Sequence, residues 1–205
     1  MTAPQPELLD VSLEGEQVLL RPVRPGDAAA AFPLIHRCEE VTRWLVWDGP
    51  GDEAELAEAY GEWRVGEPAR GLNYRFAIES PGEGFVGSIS LRFEGHPYIG
   101  DVGYWVAPAF WNRGLGTEAN RLLAVLAFEH LQVRALTAVV FVGNNASARL
   151  LEKVGYVCEV DTRGQALVGL PSEFDRESWS FGLTRPDLHR ACAGWSPRRV
   201  RASVS

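Results

Sequence analysis

Trp111-Asn112-Arg113-Gly114-Leu115-Gly116-Thr117-Glu118-Ala119 is the stretch on which the reading of this chain turns. It joins a strand-like run, Asp101–Val106, to a helix expected to begin near Gly114, because Leu115, Ala119, Leu122 and Leu126 recur at intervals of four, three and four residues. The glycines allow a tight turn that leaves several N–H groups pointing outward at a helix N-terminus. Such a terminus carries roughly half a positive charge and suits phosphate. The Lys-[Ser/Thr] ending of a nucleotide P-loop is absent, and so is the three-glycine spacing of a dinucleotide fingerprint. What remains is a pyrophosphate cradle of another kind.

Outward from that turn, strands and helices alternate. Upstream, Val18–Val23 reads as a strand, and Pro25-Gly26-Asp27 leads into a helix with Asp27 as N-cap and Pro33 as a kink or division. Further helices are expected over Glu39–Leu45 and Glu53–Arg64, the second opened by the Asp52/Glu55 capping pair. Asn73–Glu79 and Phe85–Phe93 read as paired strands, and Glu94–Gly100 as the hairpin into Asp101–Val106. Downstream come a strand at Ala135–Val142, a helix opened by Asn144 and ended by Gly155, and strands at Tyr156–Thr162 and Glu177–Thr184. The expected fold is α/β, a mixed and mostly antiparallel sheet of about six or seven strands flanked by helices. Residues 1–16 read as an N-terminal arm, 17–187 as one domain, and 188–205 as an arginine-rich, poorly ordered tail.

Composition excludes several classes. A chain of 205 residues, 46% hydrophobic, is one globular domain with a substantial core. A net charge of −7 disfavours nucleic acid or an anionic membrane as partner, and no apolar run reaches the ~18 residues of a bilayer span. Met1–Glu16 has acidic residues, no basic ones and no apolar centre, so it does not read as a signal peptide. Cys38, Cys158 and Cys192 read as reduced thiols of a cytoplasmic protein, and four scattered histidines offer no metal spacing. A homodimer is compatible with these numbers.

A second segment, Asn144-Asn145-Ala146-Ser147-Ala148-Arg149-Leu150-Leu151-Glu152-Lys153-Val154-Gly155-Tyr156, follows the first, and Gly103-Tyr104-Trp105 precedes it. In this order the three motifs resemble the GCN5-related N-acetyltransferase (GNAT) superfamily, and within it the ribosomal-protein N-terminal acetyltransferases that modify alanine or serine. The resemblance runs from about Val18 to Asp187. It implies acetyl-CoA as co-substrate, a primary amine as acceptor and no metal. It also implies two neighbouring strands, Asp101–Val106 and Ala135–Val142, splayed apart around the acyl donor, with backbone groups of Trp105, Val106 and Ala107 pairing with its pantetheine arm.

On the same resemblance, the amides of Asn112, Arg113, Gly114, Leu115, Gly116 and Thr117 hold the pyrophosphate, with the Arg113 side chain adding a charge. Where the family often has Gln or Arg, this chain has Trp111, which cannot make that contact. Asn144 matches a cofactor-contacting position and is equally suited to cap its helix. Ser147 matches a hydroxyl close to the thioester sulfur, and Leu151 stands where related enzymes often have tyrosine. Asp101 matches a carboxylate that draws a proton from the amine, with Glu94 and His96 as alternative bases. Tyr104 and Trp105 read as packing beside the acyl channel, and Trp44, Trp47, Tyr60 and Trp63 as the acceptor side or its core.

At pH 7 a peptide N-terminal amine of pKa near 8 is about one part in ten free base, and a lysine amine only a few parts in ten thousand. An ordinary carboxylate suffices for the first and not for the second. The expected reaction is direct attack of a protein or peptide N-terminal amine on acetyl-CoA. Neither motif contains a cysteine, so no enzyme-bound acyl group is expected. The alternatives are a small-amine acceptor (amino acid, polyamine or amine antibiotic), a non-catalytic acyl-CoA binder, and an interaction protein without coenzyme.

Overall fold

A computed structural model describes residues 8–64, 73–93, 96, 98–161 and 176–204. Its elements in chain order are β1 (Leu8–Glu14), β2 (Leu19–Pro22), α1 (Ala28–Ile35), α2 (Glu39–Thr42), α3 (Glu53–Arg64), β3 (Tyr74–Ser80), β4 (Gly84–Arg92) and β5 (Ile99–Val106). There follow α4 (Leu115–Val125), β6 (Ala135–Phe141), α5 (Asn145–Val154), β7 (Val157–Asp161), β8 (Ser178–Thr184), α6 (Arg185–Ala191) and β9 (Arg199–Val204). One sheet of nine strands runs β7-β8-β6-β5-β4-β3-β2-β1-β9. Every pairing is antiparallel except β5 with β6.

The periodicities translate directly into packing. Leu115, Ala119, Leu122 and Leu126, the face expected from their spacing, are all 2% exposed or less. They lie against Val102, Val106, Ile89 and Leu91 of the sheet, together with Leu151 and Val154 of α5. Val23, Ala28, Ala31, Ile35, Leu56 and Tyr60 form a separate cluster with Ala77 and Phe85, to which Trp105 adds. Strand alternation therefore gives β5 two faces. Val102, Tyr104 and Val106 pack with α4 and α5, and Trp105 packs with the α1–α3 side.

Half of the capping pair forms as expected, with Glu55 N–H donating to the Asp52 carboxylate at 2.8 Å, whereas the Glu55 carboxylate accepts from Gly51 N–H at 2.7 Å. Asp27 does not cap α1; its carboxylate accepts from Arg21 at 2.7 Å and from Arg24 N–H at 2.8 Å. Pro33 lies within α1, which continues through it to Ile35, and α2 is shorter than the expected Glu39–Leu45.

The two ends differ most from expectation. The arm at residues 1–16 contains β1, and the tail at 188–205 contains the end of α6 and strand β9. The two strands pair from Leu8–Val204 to Glu14–Arg199, with Val11 and Leu13 buried. Each strand is short and has half a polar face, so neither shows a strong local signal. Pairing across nearly the whole chain length creates them, and raises the strand count above six or seven.

Candidate active site

The turn after β5 and the opening beside it are built from one local event. β5 and β6 pair at Ile99–Ala135, Gly100–Leu136 and Asp101–Thr137, and there the pairing stops. Beyond it β5 stays with β4 as far as Val106–Gly87, and β6 stays with β8 as far as Phe141–Ser178. Each strand follows its own antiparallel neighbour, so the sheet parts between them, as expected for Asp101–Val106 and Ala135–Val142.

Ala107 N–H donates to Val86 O at 2.9 Å, which marks Val86 and Ala107 as a hydrogen-bonded pair. Alternation then turns the N–H and C=O of Tyr104 and Val106 away from β4, toward the opening. Of the three backbone positions expected there, Val106 faces the gap. Trp105 and Ala107 instead spend their amides on β4, because their parity is opposite, and Tyr104 joins Val106.

Past β5, a 3₁₀ turn at Pro108–Phe110 leads into two left-handed positions, Asn112 at φ 61° and Gly114 at φ 83°, and then into α4. The Trp111 indole N–H donates to Val106 O at 2.6 Å, tying the turn to the end of the strand. The first α4-turn amide to find an acceptor is that of Glu118, on Gly114 O at 3.0 Å. Among the described residues the amides of Asn112, Arg113, Gly114, Leu115, Gly116 and Thr117 make no hydrogen bond, and Asn112 to Gly114 are exposed. Unpaired amides at a helix start constitute an anion site. Gly116 permits the close fit beneath them: a Cβ there would stand 2.9 Å from Leu150 Cδ1 and 3.5 Å from Val106 Cγ2. The Arg113 guanidinium lies over the Phe110 ring and pairs with Glu83 at 3.0 Å. Both partners are at least 40% exposed, so exchanging Glu83 for another anion costs at most about 1 kcal/mol.

Across the opening, Asn144 caps α5, its side-chain oxygen accepting from Ser147 N–H at 3.2 Å. That cap sets Ser147 in the first turn, where its hydroxyl meets the Tyr104 hydroxyl at 2.7 Å. Burial pushes the Tyr104 phenol up to about 12, with the Ser147 bond a smaller opposing influence. The sequence pattern places Tyr104 in the packing; only the approach of α5 to β5 makes it a partner of Ser147.

Asp101 stands at the last paired position of β5 and β6, on the face that carries Trp105. Its carboxylate is bound by Arg92, directly opposite on β4, with Arg92 Nε at 3.0 Å and Nη2 closer. Arg75 is also close to Arg92, and burial first, then that neighbouring charge, brings its guanidinium down to about 10. No sequence motif singles out Arg92; the antiparallel register of β4 and β5 alone pairs it with Asp101. The Trp44 ring lies 3.5 Å from the place of a Cβ on Gly143, just before Asn144, so it borders this end of β6. Glu94 and the Trp63 side chain lie outside the described residues; His96 is described, and its Nδ1 accepts from Tyr98 N–H at 3.3 Å.

The model of the acetyltransferase (GNAT) domain matches residues 17–157, more than half of the chain. The chain belongs to the GNAT family. It is an acyl-CoA-dependent N-acetyltransferase with acetyl-CoA as co-substrate. YdaF of Bacillus subtilis, whose name assigns it provisionally as a ribosomal N-acetyltransferase, is 27% identical over 154 residues, covering 72% of this chain and 82% of its own. RimJ of Mycobacterium smegmatis, solved in complex with CoA-disulfide, superposes with a TM-score of 0.70 at 24% identity, over 92% of each chain. RimL, a ribosomal L7/L12 α-N-protein acetyltransferase, superposes with a TM-score of 0.68 at 15% identity, over 85% of this chain and 93% of its own. RimJ and RimL thus share the fold of this chain, and YdaF is similar to it in sequence as well. Among the described residues no group of His, Cys, Asp and Glu is arranged to hold a metal ion, and no helix is long and apolar enough to cross a membrane.

Proposed function

We propose that this GNAT enzyme acetylates the N-terminal amine of a protein or peptide by direct attack of the amine on acetyl-CoA. The observation that carries the reading is the row of unpaired amides from Asn112 to Thr117 beside the parted strands β5 and β6. The amides hold the diphosphate, and the thioester lies along the opening. Val106 N–H, turned into that opening, polarises the thioester carbonyl as negative charge develops on its oxygen. Asn144 offers its side-chain NH₂ to the same substrate while its oxygen caps α5.

Ser147 and Tyr104 act at the sulfur. The amine nitrogen forms its bond to the carbonyl carbon, the tetrahedral intermediate collapses, and the C–S bond breaks with the electron pair on sulfur. A thiol of ordinary pKa, about 8.5, is a stronger acid than a phenol near 12, so moving the Tyr104 proton to the thiolate runs uphill by roughly 5 kcal/mol. The pair therefore donates a hydrogen bond, Tyr104 to Ser147 and Ser147 to sulfur, and water supplies the proton.

Asp101 receives the amine proton through water from the opposite face of the sheet. Its carboxylate is held in place by Arg92, and an N-terminal amine, about one part in ten free base at pH 7, asks far less of such a base than a lysine does. The names of YdaF and RimL favour the same acceptor class. Catalysis then rests chiefly on holding amine and thioester together.

The test is thiol release from acetyl-CoA in the presence of peptides with N-terminal Ala or Ser, lysine peptides with blocked N-termini, free amino acids, polyamines and amine antibiotics. Turnover with free N-terminal peptides and not with the blocked ones is expected. Turnover restricted to small amines would refute the acceptor, and tight CoA binding without thiol release would refute catalysis.

A further inference from the structure

The anion site has an unexplained neighbour. The turn between β1 and β2 closes with Gly15 N–H on Val18 O at 2.8 Å, and its next two amides, Glu16 and Gln17, both donate to the Glu118 carboxylate at 2.6 and 2.8 Å. Glu118 lies in the first turn of α4 and is only 6% exposed. The approach is so close that a Cβ on Gly15 would fall 2.5 Å from Glu118 Oε1. A buried carboxylate on the helix that starts the cradle thus clamps a turn that is distant in sequence. The side chain this delivers is Gln17, exposed, with Nε2 3.8 Å from the place of a Cβ on Gly114.

Two of the loop's own side chains already have partners. Trp111 gives its indole N–H to Val106 O, and Arg113 pairs with Glu83. Gln17 Nε2 makes no hydrogen bond among the described residues and stands beside the unpaired amides at Gly114. Glu118 itself contributes negative charge close to an anion site, which would be costly were its oxygens not occupied by the two turn amides.

Resting on the reading of that site as a diphosphate cradle, we infer that the Gln17 side-chain amide donates to the diphosphate of acetyl-CoA, and that Glu118 is the residue positioning it. The cradle is then assembled from two parts of the chain: main-chain donors from the turn before α4, and one neutral side-chain donor carried in by the β1–β2 turn.

Calorimetric titration of the full chain with CoA and with pantetheine, which lacks the diphosphate, tests this. A hydrogen bond to a charged phosphate predicts that Gln17→Ala weakens CoA about tenfold and raises KM for acetyl-CoA to match, with kcat unchanged. Gln17→Glu weakens it further by like-charge repulsion, Gln17→Arg restores or tightens it, and pantetheine affinity stays the same in all three. The melting temperature of Gln17→Ala stays at the wild-type value, because the side chain is exposed. In a Glu118→Gln background the Gln17→Ala effect shrinks, since the turn is no longer held, whereas a merely structural Glu118 leaves it undiminished. Wild-type affinity in Gln17→Ala and Gln17→Arg, beside normal CoA binding by the parent, would overturn the role of Gln17 alone. So would equal loss of CoA and pantetheine. Absence of CoA binding by the parent chain would overturn the cradle and this inference together.

Discussion

Tyr104→Phe removes one oxygen from the site and leaves the ring that packs between β5 and the α4–α5 side. Ser147 Oγ loses its partner at 2.7 Å, and its hydroxyl is free to rotate among three staggered orientations. Recovering the one that points at sulfur costs about 0.6 kcal/mol in rotor entropy. Loss of polarisation by the phenol removes a further ~0.2–0.9 kcal/mol, taking 10–30% of a charge-assisted hydrogen bond. Together these predict a fall in kcat of roughly 4- to 12-fold. Ser147→Ala removes the donor itself, about 1.5–3 kcal/mol, or roughly 10- to 150-fold in kcat. The double variant should equal Ser147→Ala, because Tyr104 acts only through Ser147. The assay is thiol release at saturating acetyl-CoA and acceptor, with CoA affinity measured alongside. Additive losses, or a Tyr104→Phe enzyme with unchanged kcat beside an impaired Ser147→Ala enzyme, would refute the reasoning.

Four further outcomes follow from the same geometry. Gly114→Ala forces a side chain into a left-handed conformation and should cost about 1–2 kcal/mol, lowering Tm by several degrees, whereas Gly114→Glu should abolish CoA binding by calorimetry through negative charge in the anion site. Asp101→Asn should reduce kcat more than CoA affinity and change the pH profile; equal rates for both forms from pH 6 to 9 would remove Asp101 from the mechanism. Tyr60, Tyr74, Tyr104 and Tyr156 all have phenols raised by burial, so the folded state holds their protons more tightly than the unfolded chain does. Their contribution is intact below pH 10 and is lost as pH rises through the raised values, so Tm should drop steeply above pH 10, together with phenolate absorbance on unfolding. Truncation after Arg198 removes β9 and uncovers the edge of β1; Tm should fall by several degrees, and an unchanged melt would mean that β9 contributes nothing to stability.

Most of the elements that frame the site were legible in the chain. The spacing of Leu115, Ala119, Leu122 and Leu126 marked the buried face of α4, and Asp52 with Glu55 marked the start of α3, because both signals are complete within about three helical turns or fewer. The Gly-rich turn before α4 announced exposed amides for the same reason: left-handed positions and a helix start are local features. By contrast, β1 and β9 are strands only as each other's partner, and their residues 8–14 and 199–204 carry little pattern apart from that pairing.

The chain by itself determined where backbone donors would be exposed and which helix faces would be buried, and its family resemblance implied that β5 and β6 would part. Tertiary structure alone decided which side chains meet there. Tyr104 with Ser147, Asp101 with Arg92, Glu118 with the β1–β2 turn and Gln17 beside Gly114 are contacts between separate elements, set by sheet register and helix approach. Local periodicity encodes which way a residue faces along its own element. It carries no information about which residue, dozens of positions away, will be brought to face it.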